Sequence, residues 1–131
     1  MGETGYNWAG TTELDTLSAA DTADDTSATA ISLDGKAACV VGLTIAAADT
    51  AVDGVATFFV LGTVDGTDYE TMTTGSAFAF SITPVQNSSI YKVFSVSPAD
   101  YQAFKVGVSN ECGAALTVTV DYDTATIPVA S

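Results

Sequence analysis

Histidine and arginine are absent from this sequence, and its only bases are Lys36, Lys92 and Lys105. Without histidine there is no Ser-His-Asp or Cys-His nucleophile and no imidazole metal site. Without arginine there is no bidentate phosphate clamp, and a chain of net charge −13 repels nucleic acid rather than gathering it. No uninterrupted apolar run approaches the roughly 20 residues that a membrane-spanning helix needs. The opening Met1-Gly2-Glu3-Thr4-Gly5-Tyr6 lacks the basic and apolar regions of a secretory signal, and Tyr6 stands where a myristoylation motif requires Ser or Thr. Nucleic acid and membrane are therefore not expected as partners. Cysteine is scarce too: Cys39 lies in an apolar run, and Cys112 in the turn-like Asn110-Glu111-Cys112-Gly113. With no export signal, two free thiols are expected rather than a bridge, Cys39 packing as a small hydrophobe.

What is present is acid and apolar residue. Sixteen Asp and Glu stand among 131 residues that are 47% hydrophobic, a size and composition that suit one compact domain. A folded monomer of this mass exposes about 6,500 Å², which spaces the net charges roughly 20 Å apart, beyond the Debye length of about 8 Å at physiological salt. Self-repulsion is then tolerable in salt and grows in dilute buffer.

The texture divides the chain into a polar, acidic leader over 1–30, expected as an extended N-terminal arm, and a domain over 31–131 in which apolar runs alternate with turn signals. Helical periodicity is weak, whereas β-branched and aromatic residues are plentiful. Strands are expected over Glu13–Leu17, Ala28–Leu33, Ala37–Ala46, Val55–Val64, Tyr69–Thr73, Ala77–Thr83, Ser89–Val96, Ala103–Ser109 and from Leu116 to Tyr122. Asp34-Gly35 and Asp65-Gly66 read as tight turns, Gly75 as a break, and Pro84 as a strand end. In the last strand Leu116, Val118, Val120 and Tyr122 alternate with Thr117, Thr119, Asp121 and Asp123, giving one buried and one wet face. About eight strands at spacings near ten residues predict an all-β fold, an antiparallel β-sandwich of jelly-roll or immunoglobulin-like type.

Candidate sites are few. Asp65, Asp68 and Glu70 group three carboxylates as a hard-cation site would, but without the twelve-residue spacing of an EF-hand, and a hairpin turn accounts for them more simply. Asp21, Asp24 and Asp25 read as a solvated loop. A glycosidase needs only two carboxylates, yet these acids fall at turns rather than in an apolar cleft, so no enzyme, cofactor or metal is expected. Tyr69, Tyr91, Tyr101 and Tyr122 suit packing with wet hydroxyls better than a sugar platform, and Tyr101 reads as a corner residue. Tyr6 and Trp8 in the polar leader are the unusual pair, because an indole in a polar segment gains little unless it docks, either by inserting into a neighbouring subunit or by folding back with the leader to cap its own sandwich.

The stretches Ser89-Ile90-Tyr91-Lys92-Val93-Phe94-Ser95-Val96, Tyr101-Gln102-Ala103-Phe104-Lys105-Val106-Gly107-Val108-Ser109-Asn110 and Leu116-Thr117-Val118-Thr119-Val120-Asp121-Tyr122 resemble small all-β virion proteins of tailed bacteriophages. The acidic, Ala/Thr/Gly-rich texture is similar to that of capsid decoration (cement) proteins in particular. The resemblance covers residues 31–123 in style and carries no diagnostic motif. It implies a non-enzymatic structural protein on the capsid exterior, made in the host cytoplasm, with the major capsid protein as partner and a homo-oligomer, trimer or dimer, as the assembled form. The arm, through Tyr6, Trp8, Leu14 and Leu17, is the expected contact, and a chain lacking residues 1–17 is expected to fold without binding. A carbohydrate-binding or adhesion module of a phage tail or fibre is the alternative reading.

Overall fold

A computed structural model describes residues 5–73 and 78–127. Those residues form two antiparallel sheets packed face to face, without a helix. The first sheet is built on the long β10 (Leu116–Thr126). One of its edges carries β1 (Asn7–Trp8) and β2 (Thr12–Ala19), and the other pairs with β5 (Ala38–Ala47), which in turn pairs with β8 (Ser89–Ser95). In the second sheet β3 (Asp24–Thr26) and β4 (Ile31–Ser32) pair with β9 (Ala103–Asn110), followed by β6 (Ala56–Thr63) and β7 (Phe78–Ile82).

The β-sandwich expected from the sequence is the fold, with ten strands among the described residues rather than about eight. Alternation explains its core. Leu116, Val118 and Val120 lie opposite Ala47, Ile45 and Leu43, and all six point into the space between the sheets. Phe58, Val60, Phe104, Val106 and Val108 meet them from the second sheet, every one almost fully buried. Burying a side chain of that size contributes about 1.5–3 kcal/mol, so these opposed rows are the main drive to fold.

Two expectations about chain organisation are corrected. The leader is not a free arm: β2 pairs along β10, and β3 and β4 along β9. Leu17 is 1% exposed and sits in the core with Ala19, because the two alternate inward beside Val118 and Leu116. Polar composition concealed this, since half of an edge strand is expected to be wet. The segment Tyr69–Thr73 makes only an isolated bridge at Thr71 rather than a strand. It folds over the outer face of the second sheet, where Met72 lies against Gly107 and Leu61. The break expected at Gly75 and the start at Ala77 lie outside the described residues.

The two flanks of the sandwich are closed differently. On the β2/β3 side carboxylates span the sheets: Asp25 Oδ2 accepts from Ser18 N at 2.9 Å, and Asp15 Oδ2 from Ala28 N at 2.9 Å. On the β7/β8 side phenylalanines do so. Phe80 stacks on Phe58 with centroids 5.7 Å apart and meets Phe94 edge-on at 5.2 Å, while Phe78 stacks on Phe94 at 5.7 Å.

Candidate functional site

At one end of the sandwich the space between the sheets opens into a cleft of about 850 Å³. Its floor is core: Cys39, Val60 and Val96 line it and are at most 4% exposed. The rim carries aromatic rings and a proline, with Tyr6 and Trp8 on one side and Phe78, Pro98 and Tyr101 elsewhere around it.

Each rim residue has a local cause. Trp8 is placed by β1, whose residues Asn7 and Trp8 lie opposite Thr126 and Ala125, with Ala9 N donating to Thr124 O at 2.9 Å. Gly10, at φ +116°, lies in the short join between β1 and β2 along the edge of β10, a conformation side chains disfavour. Its N–H donates to Asp123 Oδ1 at 2.9 Å. Tyr6 and Trp8 then meet edge-to-face, centroids 6.1 Å apart and planes at 77°. On the other sheet Tyr101 packs its ring directly on Gly62, where any Cβ would collide with it. The Ser97-to-Asp100 turn, closed by Asp100 N donating to Ser97 O at 3.0 Å, brings Pro98 and Asp100 to the rim.

Burial, and secondarily the charge of Asp123, push the Cys39 thiol up to about 11, so it stays protonated and is a poor nucleophile at neutral pH. Burial, then the carboxylates of Glu70 and Asp100, raise the Tyr101 phenol above its ordinary value.

Of the four residues expected to contact a partner, the cleft gathers two. Tyr6 and Trp8 are 53% and 43% exposed. Leu14 is partly buried against the core and Leu17 fully buried within it, so the inward face of β2 leaves Leu17 no surface for a partner. Phe78, Pro98 and Asp100 also belong to the rim, and none of them was among the residues expected to contact a partner.

The carboxylate clusters serve the chain itself. Asp65 Oδ1 accepts from Thr67 N and Asp68 N, each at 2.8 Å, and from Thr63 Oγ1 at 3.0 Å. Those bonds, led by the backbone donor of Asp68, hold its carboxyl down at about 2. Glu70 Oε1 accepts from Gly62 N at 2.9 Å, and Asp21 Oδ1 from Gly113 N at 3.0 Å. Among the described residues no group of three or more Cys, Asp or Glu converges as a metal site would. The tyrosines are dispersed as well: Tyr69 lies beneath Lys105, Tyr91 over Gly42, and Tyr101 at the cleft.

Both cysteines are buried and unpaired. Cys39 lies opposite Thr124 near one end of β10, whereas Cys112 precedes Leu116 at the other. Eight residues of strand between those ends span about 26 Å, far beyond the reach of a disulfide.

No protein-family model matches the chain, and no curated protein does. Among solved structures it is similar to a chain from Bacillus endospore appendages, described as a novel family of disulfide-linked pili. The identity is 8% and the TM-score 0.49, over 98% of this chain and 96% of that one.

Proposed function

We propose that this chain is a non-enzymatic structural protein that docks on a protein scaffold, and that the scaffold is the outer surface of a bacteriophage capsid lattice. The observation that carries the docking reading is the half-exposed Tyr6–Trp8 pair at the rim of the open end of the sandwich. Large aromatics on a rigid element lose little entropy on binding, and interface hot spots favour them. The assignment of the scaffold as a capsid rests on the resemblance of residues 31–123 to decoration proteins. On a lattice, many copies each burying about 1,000–2,000 Å² add to stability through number, without needing tight single contacts.

The test is co-sedimentation with particles of the phage that encodes the chain. The wild type is expected to pellet at a copy number commensurate with the capsomers. Tyr6→Ala combined with Trp8→Ala is expected to weaken binding at least about thirtyfold, the scale of a hot-spot loss of 2 kcal/mol. The melting temperature should move only a few degrees, since both side chains lie outside the buried core. Undiminished binding by the double variant removes this surface from the reading, and a wild type that stays in the supernatant removes the capsid.

A further inference from the structure

We propose that the cleft receives an arginine-bearing loop of a protein partner, the guanidinium lying against the Tyr6 and Trp8 rings and pairing with Asp100. This rests on the reading of the Tyr6–Trp8 end as the docking surface, and adds the chemistry of what docks there.

Charge selects the occupant first. The chain carries −13 overall, and Asp100 is the one charged side chain among the described residues that line the cleft. A cation approaching this end is drawn in, whereas an acidic or phosphorylated segment is repelled. Ring geometry selects it next. Tyr6 and Trp8 stand at 77° to one another, making two walls of a corner. Such a corner suits a compact cation held against ring faces, whereas a sugar platform presents its rings as a flat surface. The same chemistry already occurs inside the protein, where Lys105 Nζ lies 4.8 Å from the centroid of Tyr69.

Arginine fits better than lysine. Its planar, weakly hydrated guanidinium stacks on an aromatic ring and still forms a forked bond to a carboxylate. Its aliphatic stem covers apolar surface of the kind that Val96 and Pro98 provide. A volume of about 850 Å³ exceeds any one side chain, so several residues of a loop enter together. A second copy cannot supply the group, because this sequence contains no arginine. The partner is a different protein.

Trp8 is the only tryptophan and reports directly on the cleft. The purified full-length chain is titrated, with Trp8 emission as the signal, against acetyl-Gly-Leu-Arg-Pro-Gly-amide, its citrulline counterpart and maltohexaose. Citrulline keeps the shape of arginine and removes the charge. A saturable change is expected with the arginine peptide, with affinity about tenfold lower for the citrulline peptide, the scale of a partly desolvated cation–π contact. Asp100→Asn should weaken the arginine peptide severalfold while leaving the citrulline peptide unaffected. Equal affinities for the two peptides, saturation by maltohexaose alone, or no response to any probe overturns the proposal. Failure here is distinct from failure of the docking reading. Particles that need Tyr6 and Trp8 while the peptides bind equally would leave docking intact and remove arginine; the reverse pattern would remove docking.

Discussion

Asn110 is wholly buried and joins segments that are distant in sequence. Its Nδ2 donates to Ala114 O at 2.7 Å and to Ala19 O at 3.0 Å, while its Oδ1 accepts from Cys112 N at 3.0 Å. One amide thus ties the end of β9 to the end of β2 and to the turn entering β10. Replacing it by Ala leaves buried backbone groups without partners, each costing about 1–3 kcal/mol. Asn110→Ala should therefore destabilise the fold by about 3 kcal/mol in denaturant melts, and a loss below about 1 kcal/mol would show that water restores the missing bonds. Nothing in Asn110-Glu111-Cys112-Gly113 announces this role, because the sequence pattern of a buried asparagine in a turn is that of an exposed one. Cys39 was legible, since an apolar run on each side leaves a thiol no wet face. Leu17 was misread: its inward partner on β2 is Ala19, and an alanine beside threonine and serine carries too little hydrophobicity to mark a buried row. Trp8 was legible for the opposite reason, as a large ring for which the polar leader offered no local use.

At the scale of the strand, the edge of β8, unpaired among the described residues, is the element most exposed to unwanted pairing. Its residues are exposed or half-buried throughout, and Tyr91 and Val93 are 66% and 52% exposed on its outer face. An edge of this kind is a template for another strand. Lys92 lies opposite Leu43, in the row that points toward the core, yet it remains exposed at the flank. A charge in that row would have to be desolvated by any strand added alongside. Lys92→Val should produce species larger than the wild type in sedimentation velocity at about 100 µM, and an unchanged distribution would show that the charge does not guard this edge. The period-two spacing of Ile90, Lys92, Phe94 and Val96 puts the charge in an apolar row, but only the sheet order makes that row an edge. Other elements were less legible. β3 is Asp24-Asp25-Thr26, with no apolar signal, and is held by pairing with β9 and by the Asp25 bond to Ser18 N. Tyr69–Thr73 carries strand-forming residues but lies over an outer sheet face, where Met72 and Tyr69 shield Leu61 and Lys105 instead of joining a ladder. Alternation identifies strands that bury one face; it misses edges held by side-chain carboxylates and overstates segments that lie on a sheet rather than within it.

For the whole molecule the dominant long-range quantity is charge. A surface of 6952 Å² carrying −13 holds one net charge per roughly 530 Å², or one every 23 Å or so. That spacing exceeds the Debye length of about 8 Å at physiological salt but falls inside the roughly 30 Å that applies at 0.01 M. Folding brings these charges closer than they are in an extended chain, so lowering the salt raises the energy of the folded state more than that of the unfolded one. Attraction to a cationic partner follows the opposite course, since the same loss of screening strengthens it. Salt therefore separates intramolecular repulsion from recognition. Between 150 mM and 10 mM salt the melting temperature should fall by several degrees, while the affinity for the arginine peptide should rise severalfold and that for the citrulline peptide should stay nearly constant. A melting temperature that does not move would show that repulsion among the acids is too weak to matter, and that local donors such as those Asp65 and Asp25 accept from outweigh it. An arginine-peptide affinity that falls along with stability would place binding in the apolar floor of the cleft rather than in its rings and carboxylate.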